Sequence, residues 1–170
     1  MVTQQYTRRS VFSSILSFVA VASITVAAWA EEKVKFLDRG FFSRLLGQCA
    51  TAEPKDSGCW SYSGGRVVIE VARAPELSAK NAAIRLEGRG LPNRMLVVHC
   101  DDGQYRAVRN ECTHAGRRLD PVPGTRTVQC CSIGKSTFDY DGRVLYGPAS
   151  RPTKWYPAKQ ENGRIVISVS

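Results

Sequence analysis

The sequence predicts an all-β domain over residues 64–170, a small antiparallel sandwich or barrel. Three observations point there: short β-rich runs recur at close spacing, Gly-containing turn pairs separate them, and almost no helical periodicity interrupts them. Residues 66–71 alternate in part, and residues 83–87 and 95–100 read as strands. Asp102-Gly103 turns the chain into residues 105–109, because Asp-Gly tolerates the positive φ of a tight hairpin. Residues 125–129 are rich in β-formers. Residues 138–140 and 144–146 flank Asp141-Gly142, and Asn162-Gly163 turns a last hairpin into residues 164–169. A length of 170 residues favours one domain with an appendage. Apolar residues at 43% and charged residues at 23% exclude a disordered chain and a multi-span membrane protein.

The first thirty residues read as an address. Thr7-Arg8-Arg9-Ser10-Val11-Phe12 leads into an uncharged apolar run over residues 11–30, which closes on Ala28-Trp29-Ala30. A basic start, an apolar core and a small-x-small site form a secretory pattern. The arginine pair resembles a twin-arginine signal, which implies export of a folded protein. Residues 1–30 are thus a cleaved signal or a retained membrane anchor, since the run is long enough to span a bilayer. Both readings place the domain in the periplasm or on the outer face of the cytoplasmic membrane.

Residues 31–63 form a separate N-terminal extension. Val34, Leu37, Phe41, Leu45 and Leu46 recur at helical spacing around Gly40, which predicts a short amphipathic helix over residues 33–48. Cys49 and Cys59 bracket a polar loop. In an exported chain this predicts a local disulfide, the alternative being two unrelated thiols.

Lys and Arg number 24 against 15 Asp and Glu, a net charge of +9. Export removes nucleic acid from the candidate partners. Cleavage after residue 30 leaves 22 basic side chains against 15 acidic ones, +7. This predicts either an acidic partner or a generally solvated basic face.

The chemistry lies in two loops. Cys112-Thr113-His114-Ala115-Gly116 puts a thiolate and an imidazole two residues apart, and Cys130-Cys131-Ser132-Ile133-Gly134-Lys135-Ser136 follows a later strand. Sulfur and nitrogen donors suit iron–sulfur or zinc rather than magnesium or calcium. Cys-x-His followed after sixteen residues by Cys131, in a loop ending Ser136-Thr137-Phe138-Asp139, resembles the Rieske [2Fe–2S] domain. So do Asp141-Gly142-Arg143-Val144-Leu145 and Gly147-Pro148-Ala149-Ser150-Arg151-Pro152, which match that family's hairpin and proline-bearing covering loop. The resemblance spans residues 66–170. It implies a Rieske-type β fold, a [2Fe–2S] cluster, and metal ligation by Cys112, His114 and Cys131, with Ser136 supporting and Pro148 covering the site.

The sequence departs from the family where a second histidine belongs: that slot is Gly134, and the only histidines are His99 and His114. Three readings stand open. A cluster takes an atypical fourth ligand, for which Cys130 is nearest; His99 reaches in from its strand; or the site is empty and its cysteines pair or stay free. Zinc on Cys112, His114, Cys130 and Cys131 is a further alternative. Phe138 stands where the family carries a tyrosine hydroxyl, which implies a lower reduction potential than in quinol-oxidising members. Arg117 stands where those members have the first cysteine of a loop-tying disulfide, leaving Cys100 as another partner for Cys130. Lys135 beside the site favours its more negative state.

The resemblance implies an exported one-electron carrier or oxidoreductase subunit rather than a stand-alone enzyme. Its partner would be acidic, such as a c-type cytochrome. The alternative is a cluster-free binding or assembly module.

Overall fold

The computed structural model describes residues 49–169. The signal or anchor over residues 1–30 and the helix expected over residues 33–48 lie outside them. Twelve strands follow in order: β1 (Trp60–Ser63), β2 (Arg66–Glu70), β3 (Ala83–Leu86), β4 (Met95–His99), β5 (Tyr105–Arg109) and β6 (Leu119–Val122). The second half continues with β7 (Thr127–Cys130), β8 (Thr137–Asp139), β9 (Val144–Tyr146), β10 (Trp155–Tyr156), β11 (Ala158–Glu161) and β12 (Arg164–Ser168). Three single-turn 3₁₀ helices, at Ser57–Cys59, Val71–Arg73 and Pro75–Leu77, are the helical elements among the described residues.

The strands form three antiparallel four-stranded sheets, ordered β1-β2-β12-β11, β10-β5-β4-β3 and β6-β7-β8-β9. The second sheet contributes to both apolar cores. Met95 and Val97 pack with Val67, Ile69, Ile165 and Ile167 of the first sheet. The alternate residues Leu96 and Val98 pack with Leu119, Val128 and Phe138 of the third. Alternation of side chains along a strand requires this arrangement, and it explains why Met95 through Val98 are all fully buried.

The hairpin signals hold their places. Glu161 pairs with Arg164 across Asn162-Gly163, both residues of the turn having positive φ. Gly103 and Gly142 likewise adopt the left-handed region between β4 and β5 and between β8 and β9. Three strands occupy stretches the sequence pattern left unassigned: β1, β6 and the two-residue β10. β6 carries Pro121 on the edge of its sheet, where a missing N–H costs no ladder bond. β1 lies inside the stretch expected to be an extension and pairs residue by residue with β2, so the sheet begins at Trp60 rather than after residue 63.

Candidate metal centre

The third sheet and its neighbours set up the site through three connecting loops: residues 110–118 after β5, residues 131–136 after β7, and residues 147–154 after β9. The first loop is closed by its own backbone. The buried Asn110 side chain accepts the Leu119 N–H at 2.6 Å. The Cys112 N–H donates to the Arg117 carbonyl at 2.7 Å, and the Gly116 N–H donates back to the Cys112 carbonyl at 2.8 Å. Gly116 has φ +67°, which a side chain would resist. These bonds fix the Cys112 sulfur inside, 1% exposed, while His114 at the apex faces solvent.

The second loop is tied at both ends. The Cys130 N–H donates to the Ser136 carbonyl at 2.8 Å, and the Cys131 N–H donates to the Arg118 carbonyl of the first loop at 2.9 Å. The third loop presses onto the second. A β-carbon on Gly147 would lie 2.6 Å from the Ser136 Cα, so only glycine permits that approach. The Ser136 Oγ accepts the Ala149 N–H at 3.1 Å, and the Thr113 hydroxyl donates to the Arg151 carbonyl at 2.6 Å.

Between the first two loops two thiols meet. Cys130, 3% exposed, donates its S–H to the Cys112 sulfur. That bond, the N–H groups of His114 and Ala115 and the Ser136 hydroxyl outweigh burial, and together they lower the Cys112 thiol to about 5. The Cys130 thiol is pushed up, first by holding its proton toward Cys112 and then by burial, although the Ser132 hydroxyl donates to its sulfur at 3.2 Å. The result is a cradle of donors around negatively charged sulfur.

Several expectations are corrected. Cys49 does not pair with Cys59: it forms a disulfide with Cys131, 82 residues away, and Cys59 is a free buried thiol immediately before β1. Asp120 explains the pairing, because its carboxylate accepts the N–H groups of Ala50 and Thr51 at 2.6 and 3.1 Å and so holds the segment beside the second loop. Cys131 therefore has no thiolate to offer a metal in this state, and the four-residue zinc set loses a member. Cys100 does not pair with Cys130; both are free and buried. His99 points away from the site, its Nδ1 2.8 Å from the Leu77 carbonyl and its ring stacked on Tyr105. Phe138 is a fully buried core residue. Gly134 carries no donor, and Pro148 covers it: a β-carbon there would lie 3.0 Å from the proline Cγ.

The donor chemistry fits an iron–sulfur group on its sulfur side, with two thiols in contact and polar hydrogens aimed at one of them. On the histidine side one imidazole, His114, is present and the second donor is missing. The family's two-cysteine, two-histidine set is therefore incomplete here, and the residues available to hold such a group are Cys112, His114 and Cys130. The sixteen-residue spacing pointed to Cys131 as the second sulfur donor, because the sequence contains no sign of its pairing with Cys49.

The chain is similar in sequence to known proteins. The chain is 28% identical over 105 residues to the cytochrome b6-f complex iron-sulfur subunit of Chlorobaculum tepidum, a match covering 62% of this chain and 56% of that protein. It is 31% identical over 85 residues to the ferredoxin component of the naphthalene 1,2-dioxygenase system of Pseudomonas putida, covering 49% of this chain and 81% of that one. Among solved structures, the cyanobacterial plasma membrane Rieske protein PetC3 from Synechocystis PCC 6803 aligns with a TM-score of 0.46 at 25% identity, covering 55% of this chain and 92% of that one. The family model of the Rieske [2Fe-2S] domain matches residues 67–157, more than half of the chain, and the protein belongs to that family.

Proposed function

We propose that the protein is an exported one-electron carrier of the Rieske type, acting as a small carrier or as a subunit of a larger oxidoreductase. The observation that carries this reading is the contact between the buried Cys112 and Cys130 thiols inside a cradle of N–H and O–H donors. A [2Fe–2S] cluster, when bound, supplies a one-electron couple. The chain's own residues do the rest. The N–H groups of His114 and Ala115 and the Ser136 hydroxyl favour negative sulfur, Pro148 covers the second loop, and His114 presents an imidazole to the surface. Two relatives of this chain are, by name, electron-transfer components: an iron–sulfur subunit and a ferredoxin.

Export is supported by the arginine pair and apolar run of residues 1–30. An acidic redox partner, such as a c-type cytochrome, is supported by the net charge of +7 after cleavage and by the exposed Arg117, Lys135 and Arg151 on the three site loops. Phe138 in place of a hydroxyl-bearing ring supports a potential below that of quinol-oxidising members.

The test is a reductive titration of the full chain from the periplasm of a host with a working twin-arginine pathway, followed by electron paramagnetic resonance. One electron and one spin per chain are expected, with the protein lost from the periplasm when the translocase is deleted. A folded protein that takes up no electron would overturn the carrier reading and favour the cluster-free module.

A further inference from the structure

The two ends of strands β5, β7 and β9 carry opposite charge patterns. The turns that precede these strands gather at one end: Arg126 of the second turn reaches Asp101 and Asp102 of the first, and Asp141 of the third lines a cavity with Arg106 and Thr125. Asp101, Asp102 and Asp141 are exposed there. The loops that follow the same strands gather at the other end, and each exposes one cation: Arg117, Lys135 and Arg151. The carboxylates in or bonded to that region are engaged. Glu111 pairs with Arg109 and Glu87 with Arg118, each at 2.7 Å, and Asp120 takes the Ala50 and Thr51 N–H groups.

Three large apolar side chains stand more than half exposed among the described residues. Leu145 lines the cavity at the turn end. Ile133 and Tyr146 belong to the loop end, each beside a contact between the second and third loops. Ile133 precedes Gly134, which lies under the exposed Pro148, and Tyr146 precedes Gly147, which lies on Ser136.

We infer that the three-loop end is a docking face for an anionic phospholipid surface, with Ile133, Tyr146 and Pro148 entering the interfacial layer and Arg117, Lys135 and Arg151 meeting headgroup phosphates. Tyrosine suits that depth because its ring is apolar and its hydroxyl stays wet, and basic side chains beside it add attraction to anionic lipid. The path of the chain favours lipid as the occupant. Cys49 enters the domain at this end, bonded to Cys131 of the second loop, and only residues 31–48 separate it from the span-length apolar run over residues 11–30. The inference does not rest on the carrier reading, since none of these side chains needs a bound cluster. An acidic protein would meet the same three cations, so lipid and such a partner compete for one face.

The test is hydrogen exchange of the full chain on vesicles of phosphatidylcholine, alone or mixed with phosphatidylglycerol. A retained apolar run inserts into either vesicle, and the regional readout separates it from the loops. Exchange over residues 131–136 and 146–152 should slow about tenfold on the mixed vesicles relative to phosphatidylcholine, with residues 101–104 and 139–143 unchanged. Lys135→Glu/Arg151→Glu, both exposed positions, should abolish the difference, and Ile133→Ser/Tyr146→Ser should reduce it. Equal exchange on the two vesicles, or slowing at the turn end, would overturn the inference. Slowing by soluble polyglutamate with none on the mixed vesicles would overturn it too, and would assign the face to an acidic protein.

Discussion

Gly134 lies directly beneath Pro148: a β-carbon on the glycine would sit 3.0 Å from the proline Cγ and 3.3 Å from its Cδ. The position that the family fills with a ligand is here filled by the covering loop. Its φ is not in the left-handed region, so the obstacle to a side chain is contact rather than backbone strain.

Gly134→Ala should therefore cost about 1 kcal/mol by pushing the covering loop outward. In a Pro148→Ala background the cost should largely disappear. A double-mutant cycle by urea unfolding measures the coupling, and additive effects would show that the two residues do not press on each other.

Ser136 is 1% exposed and serves two partners, accepting the Ala149 N–H and donating to the Cys112 sulfur. Ser136→Ala should destabilise by about 1–3 kcal/mol, because a buried N–H loses its acceptor. It should also raise the midpoint of the Cys112 titration. Thiolate absorbance in the near ultraviolet, followed against pH in cluster-free protein, reads that shift.

The cradle has a consequence for stability. Cys112 titrates at about 5 when folded, against 9.0 as an ordinary thiol. Between these values the unfolded chain binds the proton that the folded chain has released, so stability rises with pH across that window and is lost as pH falls toward 5. For the cluster-free protein the slope should be at most about 1.4 kcal/mol per pH unit. Cys112→Ser should flatten it, as chemical unfolding at several pH values would show.

The disulfide closes a long loop, joining positions 82 residues apart. Removing it in Cys49→Ser/Cys131→Ser should lower unfolding free energy by about 2–4 kcal/mol, mostly through the freedom regained by the unfolded chain. Differential scanning calorimetry should show one transition at lower temperature, with the native circular dichroism retained.

Much of the fold was legible because its cues are local. Asp102-Gly103, Asp141-Gly142 and Asn162-Gly163 each demand a turn where the structure has one. The sandwiched sheet was less so: Met95 through Val98 read as a strand, yet only two covering sheets reveal why neither face is polar. β6 escaped notice because Asp120 and Pro121 carry turn-like chemistry, and an edge position tolerates both. At the site, Cys112, His114 and Ser136 stand in the loops that their motif suggested. The partner of Cys49 was not legible, since a pairing across 82 residues leaves no spacing signature. Nearness in sequence favoured Cys59, whereas the Asp120 carboxylate decides for Cys131.

The most direct measurement is iron and acid-labile sulfide per chain, on full-length protein purified without oxygen from a host with a twin-arginine pathway. The carrier account predicts about two of each per chain, as a [2Fe–2S] centre requires, with both lost in Cys112→Ser. Well-folded wild-type protein with neither iron nor sulfide would contradict it.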